Sequence, residues 1–267
     1  MDSTRLTYPL RTVIIGSGNV ASCIAPALEK AGVIDIAAIY SPTQSHAAEL
    51  AAKLRNAVAV SDIAEIPADA ALYLLAVKDD AIAELAQTLT PSPEALWLHT
   101  SGGVEASTLK PLSEHYGVFY PLQTFSKGVP VNLPEVPVFI EASTERGREI
   151  VDRLAHAISP KVHYADGTTR CKLHAAAVFA CNFTNHLWAI AEDILHREAG
   201  TDLSVLHPLL QETLRKAMTV PPASAQTGPA ARGDRGVIAK HASLLTADEA
   251  ELYTLLSEHI IDYYKKL

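Results

Sequence analysis

The stretch that decides the fold is RTVIIGSGNVASCIAPALEKAG, residues 11–32, where an apolar run leads into a glycine-rich turn and then an amphipathic segment. Gly16, Gly18 and Ala21 have the spacing G-x-G-x-x-A, which between a strand and a helix is typical of dinucleotide-binding folds. Gly16 allows the tight turn, Gly18 leaves room for a pyrophosphate beside the backbone, and Ala21 allows close packing of helix on strand. The helix N-terminus adds free N–H groups and partial positive charge.

This pattern predicts that the turn binds the pyrophosphate of a dinucleotide. The predicted contacts are Gly16, Ser17, Gly18, Asn19 and Val20. The alternative is a glycine-rich turn in another α/β fold, since the glycine spacing alone is weak evidence and gains its meaning from the flanking strand and helix.

The residues after the second apolar run indicate which dinucleotide fits. An NAD site usually has an Asp or Glu there, which binds the ribose 2′-hydroxyl. Residues 40–43 are Tyr-Ser-Pro-Thr and include no carboxylate, whereas the hydroxyls of Ser41 and Thr43 can donate hydrogen bonds to a 2′-phosphate. We therefore predict NADP rather than NAD, although no arginine clamp is evident and the nearest arginine, Arg55, is predicted to lie on a helix.

Strand-like and helix-like segments alternate up to about residue 165. The apolar runs are RTVII, IDIAAIY, AVAV, ALYLLAV, ALWLH, GVFY, PVFIEA and KVHYA, and amphipathic segments separate several of them. Such alternation predicts an α/β fold with a doubly wound, mostly parallel Rossmann sheet. Beyond it, residues 168–200, 203–218 and 247–267 read as helices. We predict a tail at 1–10, a dinucleotide-binding domain at 11–166 and an all-α domain for substrate binding and dimerisation at 167–267.

Two more predicted strands end in polar residues. Val77 and Lys78 follow one strand, and Thr100 and Ser101 follow the next. Because doubly wound folds bind ligands at the carboxyl ends of their strands, we predict that these four residues contact the cofactor near its nicotinamide. The alternative is that Asp79 and Thr100 merely cap the helices that follow.

Composition excludes several classes of protein. A net charge of −8 argues against nucleic-acid binding, which needs a basic face. No run approaches the roughly 18 apolar residues of a membrane span, and the first ten residues lack the apolar core of a signal peptide. Cys23, Cys171 and Cys181 have no metal-type spacing and are too sparse for a disulfide framework. We expect a soluble, cytoplasmic protein without a bound metal.

Several motifs resemble one group of NADP oxidoreductases, in which a Rossmann domain is joined to an all-helical domain of uncharacterised function. The motifs are GSGNVA (16–21), AVKDDAI (76–82), LHTSGG (98–103), YPLQTFS (120–126), AAAVFACN (175–182) and TGPAARGD (227–234) with His241. The group is similar to pyrroline-5-carboxylate and ketopantoate reductases of the 6-phosphogluconate-dehydrogenase-like superfamily. The resemblance covers nearly all of the chain after residue 11.

The resemblance implies a reductase that acts in a cleft between its domains and dimerises through its C-terminal helices. It does not fix the substrate. Other branches carry a lysine and an asparagine four residues apart on the first helix of the second domain. Here the position four after Lys172 is Ala176, and the position four before Asn182 is Val178, so that pair is missing.

The long segment 168–200 supplies the candidate catalytic residues. On a wheel of 100° per residue, His174, Asn182 and His186 share one broad face with Cys181 and Asn185. The apolar residues Phe179, Phe183, Leu187, Ile190 and Ile194 lie on the opposite face, which we expect to be core. Histidine and asparagine suit proton donation to a reduced C=O or C=N group, while the alternative is a merely solvated face.

The glycine-rich segment TGPAARGDRG, residues 227–236, interrupts the helical region and is predicted to be a binding loop. An arginine fork suits a substrate carboxylate, and Asp234 can hold the guanidinium of Arg232 in position. We predict substrate contacts from Thr227, Arg232, Asp234 and His241. The alternative is an interhelical loop with an incidental surface ion pair.

Two functions remain open at this point. The first is an NADP-dependent reductase of a small carboxylate-bearing ketone or imine, and the direction of its reaction is not fixed by sequence. The second is a non-catalytic module that binds NADP and senses its redox state. Only the first needs a proton donor beside the nicotinamide.

Overall fold

The computed structural model describes residues 7–266. Its eight strands are β1 (Leu10–Ile15), β2 (Ile34–Tyr40), β3 (Val58–Val60), β4 (Leu72–Leu75), β5 (Leu96–His99), β6 (Tyr116–Pro121), β7 (Val138–Ala142) and β8 (Val162–Tyr164). They form one sheet in the order β3-β2-β1-β4-β5-β6-β7-β8. All neighbours run parallel except β6 and β7, which are antiparallel. The predicted Rossmann-type fold class is confirmed.

The helices alternate with the strands and then continue alone. They are α1 (Asn19–Lys30), α2 (Gln44–Ala51), α3 (Asp79–Thr88), α4 (Glu145–His156), α5 (Gly167–Ala177), α6 (Thr184–Ile194), α7 (His207–Thr219), α8 (Pro222–Ala225), α9 (Pro229–Arg232), α10 (Arg235–Ala242) and α11 (Ala247–Tyr264). Short 3₁₀ turns lie at Ile63–Glu65, Ala106–Leu109, Leu133–Glu135 and Leu203–Leu206. No helix in the described range is long and apolar enough to cross a membrane.

Apolar residues cover the sheet on both faces. Successive residues of β1 point to opposite sides, so that Ile14 packs in the same cluster as Leu28 of α1 and Leu154 of α4. Val13 belongs to the cluster on the other face, with Ile82 of α3. All five side chains are buried, and only Leu154 keeps as much as 1% of its surface exposed. The sheet is therefore held between helices, which fixes the carboxyl ends of its strands at one edge.

The described chain forms two compact units, one reaching to Val178 and the other covering Phe179–Leu267. Residue 166, where the sequence placed the domain boundary, comes immediately before α5 and lies in the first unit. The predicted tail at 1–10 falls mostly outside the described residues, and β1 already begins at Leu10.

The segment 168–200 is helical but not uniformly α-helical. A π-helical stretch, Val178–Phe183, separates α5 from α6, and a second one, Leu195–Ala199, leads to the predicted stop at Gly200. A π turn holds more residues than an α turn, so a constant 100° per residue does not hold across Val178–Phe183. The predicted face that joins His174 to Asn182 and His186 rests on that constant angle and needs correction.

The apolar face of this segment is not core within the described chain. Phe179 is 71% exposed, Phe183 50% and Leu187 40%, so the prediction of a buried face is wrong for the single chain. Amphipathic periodicity indicates which residues share a face, but it does not indicate what covers that face.

The segment TGPAARGDRG is less loop-like than predicted. Pro229–Arg232 forms one short helix, Gly233 has the left-handed conformation (φ 73°), and α10 begins at Arg235. Only the first two residues and the Gly233–Asp234 break between the helices remain non-helical. Gly228 precedes the short helix, and Gly233 ends it in the usual place of glycine at a C-terminal cap, whereas Gly236 lies inside α10.

Candidate functional site

The strand order reverses between β1 and β4: β2 and β3 are added on one side of β1, and β4 and β5 are added on the other. In doubly wound folds, ligands bind in the crevice at the carboxyl ends of the strands at this point. Gly16 starts the turn after β1 with a φ of 110° and donates its N–H to the Tyr40 carbonyl at 2.8 Å. A Cβ at Gly16 would lie 2.3 Å from the Ala76 carbonyl oxygen, so only glycine fits there.

Gly18 is bare for a different reason. It precedes α1 with an extended backbone (φ −77°, ψ −166°), and a Cβ built on it would meet nothing within 4 Å. The first N–H groups of α1 have no partner inside the helix and carry its positive end. The turn therefore presents open backbone donors, which is what an anionic diphosphate requires.

A cavity of about 1230 Å³ opens over this turn. Nine of the predicted cofactor residues line it, namely Gly16, Ser17, Gly18, Asn19, Val20, Ser41, Val77, Lys78 and Thr100. Thr43 and Ser101 are not among its lining residues. Ser101 is buried, and its hydroxyl accepts hydrogen bonds from the backbone N–H groups of Gly103 and Val104. Its side chain therefore stabilises the turn after β5. The cavity follows the edge formed by the ends of β1, β2, β4 and β5.

Two basic residues in the cavity wall escaped the sequence analysis. His46 comes from α2 and Lys127 from the segment after β6, and both lie with Ser41 on the lining. The Lys127 ammonium is 3.4 Å from the Glu49 carboxylate of α2. Lys127 is separated from Glu49 by 78 residues, so no local pattern could have brought it to the end of β2. Arg55 lies away from the wall and binds Glu29.

The cavity wall also contains acidic groups. Asp62, which follows β3, accepts the backbone N–H of Ala64 at 2.9 Å and so caps its own turn. Glu84 of α3 lies on the lining as well. Asp62 could have been found from sequence, because it follows the apolar run AVAV and carboxyl strand ends meet at this edge.

A second polar group lies beyond Thr100 at the ends of β5 and β6. The Tyr120 hydroxyl is 3.0 Å from Nδ1 of His174 on α5, and the two rings meet edge to face. Burial, and then the nearby Asp79 carboxylate, raise the pKa of Tyr120 to about 12. Thr100 donates its own hydroxyl to the Leu75 carbonyl at 3.4 Å rather than capping a helix. Of the predicted catalytic residues, His174 lies in the first unit, where its side chain is hydrogen-bonded to Tyr120.

Beneath this group lies a buried charged network. Arg170, one helical turn before His174, is 1% exposed, pairs with Glu141 of β7 and donates to the Val104 carbonyl at 2.6 Å. Burial, and secondarily the charge of Arg170, lower the pKa of His99 to about 4. His99 is therefore neutral near pH 7, and its Nδ1 accepts the Ser101 N–H at 3.2 Å. The network fixes α5 against the sheet.

The remaining predicted residues lie in the second unit. Asn182 and His186 are exposed on the π turn and on α6. Asp234 holds Arg232 through its carboxylate at 2.9 Å from the guanidinium, whose side chain is 64% exposed. His241 is hydrogen-bonded through Nδ1 to the Tyr253 hydroxyl at 2.9 Å. Thr227 precedes Gly228, whose φ is 103°.

The fold and this site define a protein with a Rossmann-like domain followed by a helical domain. A family model described as a Rossmann-like domain matches residues 3–123, and one described as a domain of unknown function, DUF2520, matches residues 136–260. The comparison with curated proteins gives no match. Among the described residues, no group of three or more His, Cys, Asp or Glu is placed to hold a metal ion.

Solved structures narrow the class to a family. The putative NADP oxidoreductase BF3122 from Bacteroides fragilis is 42% identical, with 95% of this chain and 98% of that chain covered and a TM-score of 0.88. The chain belongs to the same family as BF3122. This finding confirms the resemblance noted from the sequence motifs, including the union of a Rossmann domain with a helical domain of uncharacterised function.

Two more distant structures share the fold alone. A reductive aminase from Aspergillus terreus, in complex with NADPH and ethyl-5-oxohexanoate, is 14% identical over 95% of this chain and 94% of that one, with a TM-score of 0.65. An imine reductase from Myxococcus stipitatus, in complex with NADP⁺, is 11% identical over 96% and 93%, with a TM-score of 0.61.

Proposed function

We propose that this protein is an NADP-dependent oxidoreductase that reduces the C=O or C=N group of a small carboxylate-bearing substrate. The observation that carries the proposal is the open turn at Gly16–Gly18, which faces the cavity at the point where the strand order reverses. Its relative BF3122 is described as an NADP oxidoreductase, and the two distant reductases bind NADPH or NADP⁺. These descriptions support the same cofactor here.

The residues present fit the dinucleotide at both of its charged parts. The N-terminus of α1 suits the pyrophosphate, because its N–H groups and the space above Gly18 are open to the cavity. Ser41, His46 and Lys127 suit the 2′-phosphate, since a hydroxyl, an imidazole and an ammonium can all donate to it. In this proposal, Lys127 supplies the positive charge for which the sequence offered no arginine.

When bound, the nicotinamide supplies the hydride, and this chain supplies position and a proton. His174, near the ends of β5 and β6, is our first candidate for the proton donor, and Asn182 and His186 are weaker ones. In the second unit, we propose that Arg232, steadied by Asp234, binds the substrate carboxylate, with Thr227 and His241 as further substrate contacts. The exposed guanidinium supports this role, because an arginine fork pairs with a carboxylate in two parallel hydrogen bonds.

The experiment that tests the function follows NADPH absorbance at 340 nm against a panel of 2-keto acids and cyclic imines. We expect turnover of at least one panel member, and a higher KM without a change in NADPH affinity for Arg232→Ala. Arg235→Ala is the matched control. Both terminal nitrogens of Arg235 already donate to the Glu258 carboxylate, so this arginine is not expected to bind substrate. Intact NADPH binding without turnover of any member would instead favour a redox-sensing module.

Lys127 gives a specific prediction about the cofactor. Lys127→Gln is expected to weaken NADPH binding about tenfold, or about 1.4 kcal/mol, because a hydrogen bond to a charged group is lost at a partly exposed position. NADH, which lacks the 2′-phosphate, is expected to bind the variant as it binds the wild type. Calorimetric titration of both nucleotides gives the ratio.

Lys53→Gln is the control for this prediction. Lys53 pairs with the same Glu49 carboxylate, at 3.4 Å, but it is not among the residues of the cavity wall. Equal losses of NADPH affinity in the two variants would mean that general surface charge, and not a phosphate contact, sets the affinity.

We also propose that the protein is a homodimer joined through the C-terminal helices. Supporting this, large apolar side chains of the second unit are exposed on several helices, among them Leu187, Leu209, Leu214 and Met218. Monomeric proteins seldom leave so much apolar surface open. Light scattering should give about twice the 28.6 kDa of one chain, and Leu187→Glu should shift that mass towards one chain. A wild-type mass of one chain would refute the dimer.

The cytoplasm remains our proposed location. Cys23, Cys171 and Cys181 are all free thiols, which supports a reducing compartment. Mass spectrometry after alkylation of freshly lysed cells should find all three cysteines modified.

A further inference from the structure

Tyr120 and His174 form a hydrogen-bonded pair within the first unit. They are 54 residues apart in sequence, and β6 and α5 bring the Tyr120 hydroxyl to 3.0 Å from His174 Nδ1. Tyr120 is 8% exposed, whereas His174 is half-buried. A tyrosine at the end of a central strand can serve only to pack the core, in which case any hydrogen-bond partner satisfies its hydroxyl. Here the partner is a histidine ring, which can take up and release a proton.

The direction of the hydrogen bond depends on the protonation state of the phenol and on the acceptors within its reach. Burial and the Asp79 carboxylate raise the pKa of Tyr120, while Arg170 lowers it to a smaller extent, so the phenol keeps its proton at neutral pH. Among the described residues, His174 Nδ1 is the hydrogen-bond partner of this hydroxyl, so the O–H has an acceptor there only when the imidazole is neutral and Nδ1 carries no proton. A neutral imidazole that accepts at Nδ1 carries its proton on Nε2.

Gly102 packs directly against both side chains of the pair. A Cβ built on Gly102 would lie 2.7 Å from Cζ of Tyr120 and 2.9 Å from Cβ and Cγ of His174. Gly102 comes two residues after Thr100, which lines the cavity. The pair is thus packed against the loop that leaves the cavity wall, and any side chain at Gly102 would push the two rings apart.

We propose that Tyr120 is a positioning residue that holds His174 in the tautomer with a proton on Nε2. From there His174 can donate this proton to the oxygen or nitrogen of the group that is reduced. The inference rests on the proposed reductase function. As the Nε2 proton passes to the substrate atom that has become basic on reduction, the phenolic proton passes to Nδ1. Nε2 then takes a proton from water and the Nδ1 proton returns to the Tyr120 oxygen, which restores both the phenol and the Nε2–H tautomer.

The test reads the tautomer directly, without turnover. Protein labelled with ¹⁵N-histidine gives long-range ¹H–¹⁵N spectra in which the His174 signals are assigned by their loss in His174→Gln. We expect the Nε2–H tautomer in the wild type and a mixture of tautomers in Tyr120→Phe and in Gly102→Ala. Tyr116→Phe, in the same strand, is the control and should leave the His174 signals unchanged.

Kinetics then tests the chemical consequence. Tyr120→Phe should lower kcat about 10- to 100-fold, at or below the lower end of the contribution of a general acid, because His174 itself remains, and NADPH affinity should be unchanged. An unchanged His174 tautomer in Tyr120→Phe, or a changed tautomer with full kcat, would overturn the positioning role. Absence of turnover by the wild type would count against the proposed reaction instead, while the spectra still decide the hydrogen bond.

Discussion

Replacing Gly18 by valine should weaken NADPH binding by at least about 100-fold, which corresponds to about 2.7 kcal/mol, and leave the fold intact. The backbone at Gly18 is in an extended conformation that valine adopts readily, and its Cβ would meet no protein atom within 4 Å. The added methyl groups would instead occupy the space over the first N–H groups of α1. Calorimetric titration with NADPH measures the loss, and thermal unfolding measures the stability.

The neighbouring glycine is the wrong residue for this experiment. Gly16 has a φ of 110°, and its Cβ would lie 2.3 Å from the carbonyl oxygen of Ala76. Gly16→Ala would therefore disturb the contact between the β1 turn and the end of β4, and a loss of binding could reflect a damaged sheet. Gly18→Ala makes a graded control, with a smaller loss of affinity than valine. Wild-type affinity in Gly18→Val would remove the main support for the cofactor site.

The features that sequence predicted correctly are those fixed by neighbouring residues. The run IDIAAIY became β2 at the predicted residues, because β-branched and apolar residues in a short run suit a strand buried on both faces. The glycine spacing placed the turn at the right strand for a similar reason, since each glycine answers a local backbone or packing need.

The features that the sequence did not predict depend on contacts between distant parts of the chain or on a local change from α-helix to π-helix. Lys127 reaches the cavity wall from a segment far from α2, and Tyr120 meets His174 across 54 residues. Local periodicity carries no information on such distances. The π turn at Val178–Phe183 left no signal in the pattern either, and it changes which residues share a helix face.

Arg170 carries the second large expected effect, this time on stability. Arg170→Met should lower the free energy of unfolding of the first unit by about 3 kcal/mol, because it leaves the half-buried Glu141 carboxylate without its counter-charge and the Val104 carbonyl without its donor. Arg170 is 1% exposed, and its guanidinium pairs with Glu141 and donates to the Val104 carbonyl. The loss should lie near the lower end of the usual range, since the Glu141 side chain is 28% exposed and water can reach it.

Urea unfolding in a Trp188→Phe background measures this loss in the first unit alone. The chain has two tryptophans, and Trp97, buried in β5 and stacked on Tyr73, would then be the sole reporter. The double variant Arg170→Met/Glu141→Leu should recover much of the stability, because an apolar pair replaces a broken ion pair at little cost. If Arg170→Met alone cost less than about 1 kcal/mol, the range of an ordinary surface ion pair, then Arg170 would not be what holds α5, and with it His174, against the sheet.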